Sequence, residues 1–161
     1  MHGDPAPAGE RLEPCVTRSR SEVEQRRVAQ RPRIAVAEDD TEMRELIAFE
    51  MRALGYDVTE LRDGSQMLDY VVALTAGTIR VMPAVIVSDV RMPGMSGLQV
   101  LSTMRSAGLL IPVILMTGLR DPDIHARAEA LGVALVLQKP FPTERLRAVV
   151  MGFVEGLGSM N

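Results

Sequence analysis

Five side chains that follow short apolar runs could together accept and hold a phosphoryl group. IAVA at 34–37 leads into Glu38, Asp39 and Asp40, and AVIV at 84–87 into Ser88 and Asp89. PVILM at 112–116 leads into Thr117, and VALVL at 133–137 into Gln138 and Lys139. If Glu38, Asp39 and Asp89 crowd together, their repulsion is relieved by a hard divalent cation; magnesium takes oxygen ligands from a few carboxylates, water and phosphate. Asp89 is also a nucleophile able to form an acyl phosphate. Transfer leaves charge on three phosphoryl oxygens that must be placed and neutralised. The metal would take one, Lys139 another, and Thr117 with nearby backbone N–H groups the third. Of the eighteen basic residues, Lys139 is the one that is not arginine. A compact ammonium on a flexible stem reaches a phosphoryl group as a point charge. Singly, each residue has a plainer reading: an acid after a strand caps a helix, and a threonine there is a loop residue.

The elements that must position these residues are legible from periodicity. Four of the runs are nearly continuous in Val, Ile, Leu and Ala, as strands buried on both faces of a parallel sheet are. The fifth, Asp57–Leu61, alternates and belongs nearer an edge. Between them lie amphipathic stretches. Thr41 is read as the cap of the first helix, with Met43, Leu46, Ile47, Met51 and Leu54 on one face and Gly55 as its stop. The second spans about 65–76 and carries Met67, Leu68, Val71 and Leu74. Ser96 precedes the third, with Leu98, Leu101 and Met104 inward and Gly108 after it. Asp121 or Pro122 opens the fourth, which ends at Gly132, and Thr143 opens the last, running to about Gly156. Strands alternating with helices of this length give right-handed βαβ units in a doubly wound α/β sheet. Ligands of such sheets bind beyond the carboxyl ends of the strands, which is where the five residues fall.

Composition sets the outer limits. At 161 residues and a net charge of −3, the chain has room for one domain and no excess charge pointing to nucleic acid or an anionic membrane. No run approaches the ~18 apolar residues of a membrane helix. The single cysteine, Cys15, forms no intrachain disulfide, which suits a reducing, cytoplasmic setting. Residues 1–32, rich in Pro, Ser and Arg, read as a disordered N-terminal tail. Little chain follows the fifth helix, so no output domain is expected, and 158–161 read as a short C-terminal tail.

With these residues in place, the sequence resembles the receiver domain of two-component response regulators over 33–157. RIAVAEDD resembles the opening strand with its acidic pair, VSDVRMPGMSGLQVL the acceptor strand and its loop, PVILMTG the switch hydroxyl, and LQKPF the lysine before a proline that is cis in the family. The resemblance implies a flavodoxin-like five-stranded parallel sheet in the order 2-1-3-4-5. It implies Asp89 as phosphoacceptor and a Mg²⁺ site of Asp39, Asp89 and the Arg91 backbone carbonyl, with Glu38 holding a metal-bound water. Thr117 and Lys139 would bind the phosphoryl group. The phosphoryl donor would be a histidine kinase or histidine phosphotransfer protein. The output would be a protein-binding face made by the fourth helix, fifth strand and fifth helix, which also serves for homodimers in the family. The protein is therefore expected to be a single-domain phosphorylation switch rather than an enzyme acting on other molecules.

Three features depart from that pattern. Glu38 stands where Asp is commonest. Val136 occupies the place of the switch aromatic, so no ring reports the position of Thr117. The stretch from Asp63 to Asp89 is long for the family, pointing to a longer second helix or a loop around Thr78–Pro83. The alternatives are a receiver that serves as a phosphorylation-independent interaction module, and a dehalogenase-type phosphatase. The latter wants a second Asp two residues after the nucleophile, where this chain has Arg91.

Overall fold

A computed structural model describes residues 31–118 and 120–158. Cys15 and nearly all of the two segments read as tails lie outside the described residues. The β-strands are β1 (Arg33–Ala37), β2 (Asp57–Leu61), β3 (Val85–Asp89), β4 (Val113–Thr117) and β5 (Leu135–Gln138). The helices are α1 (Thr41–Ala53), α2 (Gly64–Thr75), α3 (Gly97–Ser106), α4 (Pro122–Ala130) and α5 (Thr143–Gly158). All strand pairs are parallel, in the order β2-β1-β3-β4-β5. This is the doubly wound fold that the resemblance implies.

The pleat divides the core in two. Ile34, Val36, Val85, Val87, Ile114, Met116 and Leu137 face one way, against Ile47 and Met51 of α1 and Leu146 and Val150 of α5. Ala35, Ala37, Ile86, Val113 and Leu115 face the other way, against α2, α3 and α4. Both faces of β1, β3 and β4 are covered, which is why those strands read as unbroken apolar runs. β5 does not fit that reading. It is the second edge of the sheet, and Leu135 and Val136 are only half-buried.

Helix ends follow local chemistry. Ser96 and Gln99 form a reciprocal capping box on α3, and Asp121 caps α4 ahead of Pro122. The cap of α1 is Asp40, not Thr41: its carboxylate accepts from the Met43 N–H at 2.8 Å. An ionised acceptor one residue earlier outcompetes the hydroxyl for the orphan N–H groups and complements the helix dipole. Gly55, Gly108 and Gly132, read as stops, follow their helices with positive φ. On α1, Leu46 is exposed and Arg44 is buried in the stripe with Ile47, Ala48 and Met51. The long stretch after Asp63 resolves as a loop over 76–84 rather than a longer α2, with Val81 and Met82 exposed on it.

One close approach fixes α3 against the acceptor strand. A side chain at Gly97 would collide with the carbonyl oxygen of Asp89 and crowd the Ser88 hydroxyl, and the Gly97 N–H donates to Val90 O at 3.0 Å. Gly152 in α5 is surrounded by open space. Gly97→Ala is expected to destabilise the domain by about 2 kcal/mol or more, because backbone at a packed junction must move. Gly152→Ala should stabilise it by roughly 0.5–1 kcal/mol through helix propensity. Urea denaturation of both variants checks the pair.

Candidate functional site

Strand parity brings the chemistry together. Side chains alternate along a strand. Glu38 continues the series of Ile34 and Val36, Asp89 that of Val85 and Val87, and Lys139 that of Leu135 and Leu137. All three therefore emerge from the sheet on the side of α1 and α5. Thr117 continues Val113 and Leu115 on the opposite side, where Val136 packs against the cluster of α2, α3 and α4.

One ligand oxygen from each of Glu38, Asp39 and Asp89 lies within 4.8 Å of the others. Glu38 is almost completely buried and Asp89 nearly so, while Asp39 is exposed. The Lys139 ammonium bridges the buried pair, with Nζ 2.8 Å from Glu38 Oε2 and 3.2 Å from Asp89 Oδ1. Glu38 Oε1 also accepts from the Asp40 N–H at 3.3 Å. Thr117 is buried at the end of β4, and its carbonyl accepts from the Lys139 N–H at 2.7 Å. That bond fixes the start of the lysine-bearing loop, in which the Lys139–Pro140 peptide is cis, as the resemblance implies. Arg91 is exposed, two residues beyond the end of β3. Asp40 points to its own helix as a cap, and the second strand contributes no carboxylate to the cluster.

Electrostatics follow from crowding in a half-dry mouth. Burial pushes the Asp89 carboxyl up from its ordinary range; the Lys139 charge pulls it back only in part, and the Asp39 charge adds to the rise. Glu38 is raised for the same leading reason, with the Lys139 hydrogen bond opposing and the Asp89 charge reinforcing. Burial alone would lower Lys139, but the bond to Glu38 and the two carboxylate charges outweigh it, and the ammonium is held above its usual value.

Reading by strand ends missed Arg44. Its guanidinium is buried beneath the loop that carries Glu38 and Asp39, and Nη1 donates to the Glu38 carbonyl at 2.9 Å. The signal was present: an arginine three residues before Ile47 and seven before Met51 sits in the buried stripe of α1.

A carboxyl whose pKa is higher folded than unfolded takes up a proton on folding. Asp89 and Glu38 thus favour the fold below the ordinary carboxylate range, and that contribution is lost as pH rises through their raised folded values. At neutral pH, without divalent metal, the buried charges are a cost. Asp89→Asn should raise the thermal midpoint by a few degrees at pH 7 in chelator. The difference should shrink towards pH 4, as calorimetry across that range would register.

Comparisons with known proteins agree with this fold. The family model described as response regulator receiver domain matches residues 34–151. The transcriptional regulatory protein FixJ of Bradyrhizobium diazoefficiens is 35% identical over 117 residues, covering 73% of this chain and 54% of its own length. The DNA-binding transcriptional regulator NtrC of Klebsiella pneumoniae is 34% identical over 115 residues, covering 71% of this chain and 23% of its own. Among solved structures, a Francisella response regulator receiver domain superposes with a TM-score of 0.68 at 25% identity, over 78% of this chain and 98% of that one. The chain thus spans about half the length of FixJ and about a quarter of NtrC.

Proposed function

The chain belongs to the response regulator receiver family of two-component signalling, and on that footing we propose that it accepts a phosphoryl group on Asp89 in a magnesium-dependent reaction. The observation that carries the proposal is the buried Asp89 carboxylate, gathered with Glu38 and Asp39 at one mouth and paired with Lys139.

The donor set fits the metal. Octahedral Mg²⁺ at about 2.1 Å from hard oxygens spaces its ligands by roughly 3–4 Å, and the three carboxylates lie within 4.8 Å of one another. Asp39, Asp89 and the Arg91 carbonyl would hold the ion, with Glu38 acting through a water. Bound there, it supplies neutralisation of phosphoryl oxygen charge. An Asp89 oxygen attacks phosphorus on a phosphohistidine donor, a histidine kinase or phosphotransfer protein. The P–N bond breaks, its electron pair stays on the imidazole nitrogen, and an aspartyl phosphate forms. Lys139, already 3.2 Å from Asp89, turns its ammonium to a phosphoryl oxygen. Thr117 offers its hydroxyl from the other side of the sheet.

Readout would pass through the α4–β5–α5 face to a protein target or a second copy. Thr117 and Val136 share the side of the sheet on which α4 packs. With valine at 136, the response relies on aliphatic repacking rather than on rotation of a ring. Among the described residues no helix is long and apolar enough to cross a membrane, in keeping with a cytoplasmic assignment.

Incubation with acetyl phosphate and Mg²⁺ should phosphorylate the protein, and intact-mass spectrometry should show the adduct. Asp89→Asn should abolish it, and chelator should suppress it. Label retained by the mutant would move the acceptor elsewhere. A wild type that stays unlabelled at saturating donor and metal would favour the phosphorylation-independent interaction module.

A further inference from the structure

Arg44 is buried, with a relative exposure of 6%, and its ion pair with Glu60 is a long one. Its Nη1 donates to the backbone carbonyl of Glu38 at 2.9 Å. Nη2 stands 3.5 Å from the Thr41 hydroxyl, and Nε 3.6 Å from Glu60 Oε2, a distance too long for a hydrogen bond. Glu60 gives its shorter contact, 2.7 Å, to Arg52 instead. The firm bond of this buried cation is therefore to one peptide carbonyl.

That carbonyl lies where the sheet stops supplying partners. The Glu38 N–H still donates to Leu61 O at 3.1 Å, as a continuing β1–β2 ladder requires. β2 ends at Leu61, before the Asp63 N–H that a continuing parallel ladder would aim at this carbonyl. The guanidinium takes the position a ladder donor would have filled. The carbonyl belongs to the peptide plane joining Glu38 to Asp39. Holding that plane fixes ψ of the first residue and φ of the second, and so the directions in which both carboxylates leave the chain.

We infer that Arg44 is a positioning residue for the cation site: it holds the Glu38–Asp39 peptide so that the two carboxylates converge with Asp89. The inference rests on the magnesium-binding reading above and adds a residue remote from the donor atoms to it. Residues that orient ligands in this way commonly alter metal affinity 10–100-fold.

Isothermal titration of the full chain with MgCl₂ tests it, with thermal unfolding in chelator measured alongside. Arg44→Gln should weaken Mg²⁺ binding about tenfold or more. Arg44→Lys keeps a cationic donor on a slightly shorter side chain and should recover part of that loss; it also serves as the working variant if the glutamine protein does not fold. Arg52→Gln breaks the stronger Glu60 ion pair without touching the Glu38 carbonyl, and should leave affinity unchanged. Wild-type affinity in the Arg44 variants, or an equal loss in Arg52→Gln, overturns the positioning role while the site reading stands. A wild type that binds no Mg²⁺ overturns the site reading and this one together.

Discussion

Two buried carboxylates share one ammonium at the carboxyl edge of the sheet, and the surrounding structure is arranged to permit it. Glu38 and Asp89 come from adjacent strands, and in water they would stay apart or stay hydrated. Here both are largely removed from solvent and lie within reach of Lys139. An isolated buried charge is expensive, and one shared by three groups is tolerable only when geometry is held closely. That demand explains the rigid approach of α3 at Gly97, the bond from Lys139 N–H to Thr117 O, and the capped start of α1.

The period-two pleat then divides labour between the two sides of the sheet. Charge collects on the side of α1 and α5, where Glu38, Asp89 and Lys139 emerge. Thr117 and Val136 belong to the side of α2, α3 and α4. A change of charge at Asp89 has to cross the sheet to reach α4, and Thr117, one residue beyond the strand partner of Asp89, stands at the crossing point. Close-packed cores pass such changes on as discrete rearrangements rather than graded ones.

Much of this was legible in the sequence because the signals were local. Continuous apolar runs marked strands covered on both faces, and the residues just after them marked the mouth of the sheet. Where reading failed, a competing interaction decided the outcome. Asp40 displaced Thr41 as cap because an ionised acceptor satisfies the helix start better. The run VALVL reads as covered on both faces, yet in β5, at the edge the expected strand order gives it, Leu135 and Val136 are only half-buried. Leu46 fitted the helical stripe of α1 and is nonetheless exposed, while Arg44 took a buried place in it. Periodicity reports which face a residue is on; it does not report that a backbone carbonyl at the end of a neighbouring strand lacks a donor.

The arginine-for-lysine composition carries a practical consequence. Lys139 is the chain's one lysine, so its ε-amine has no counterpart elsewhere in the sequence. That amine is held protonated by Glu38 and Asp89, and only the unprotonated form attacks an acylating reagent. Its rate of acylation, read at the Lys139 peptide and so apart from the α-amine, is therefore a built-in gauge of how tightly the two carboxylates grip it, needing no mutation or known partner.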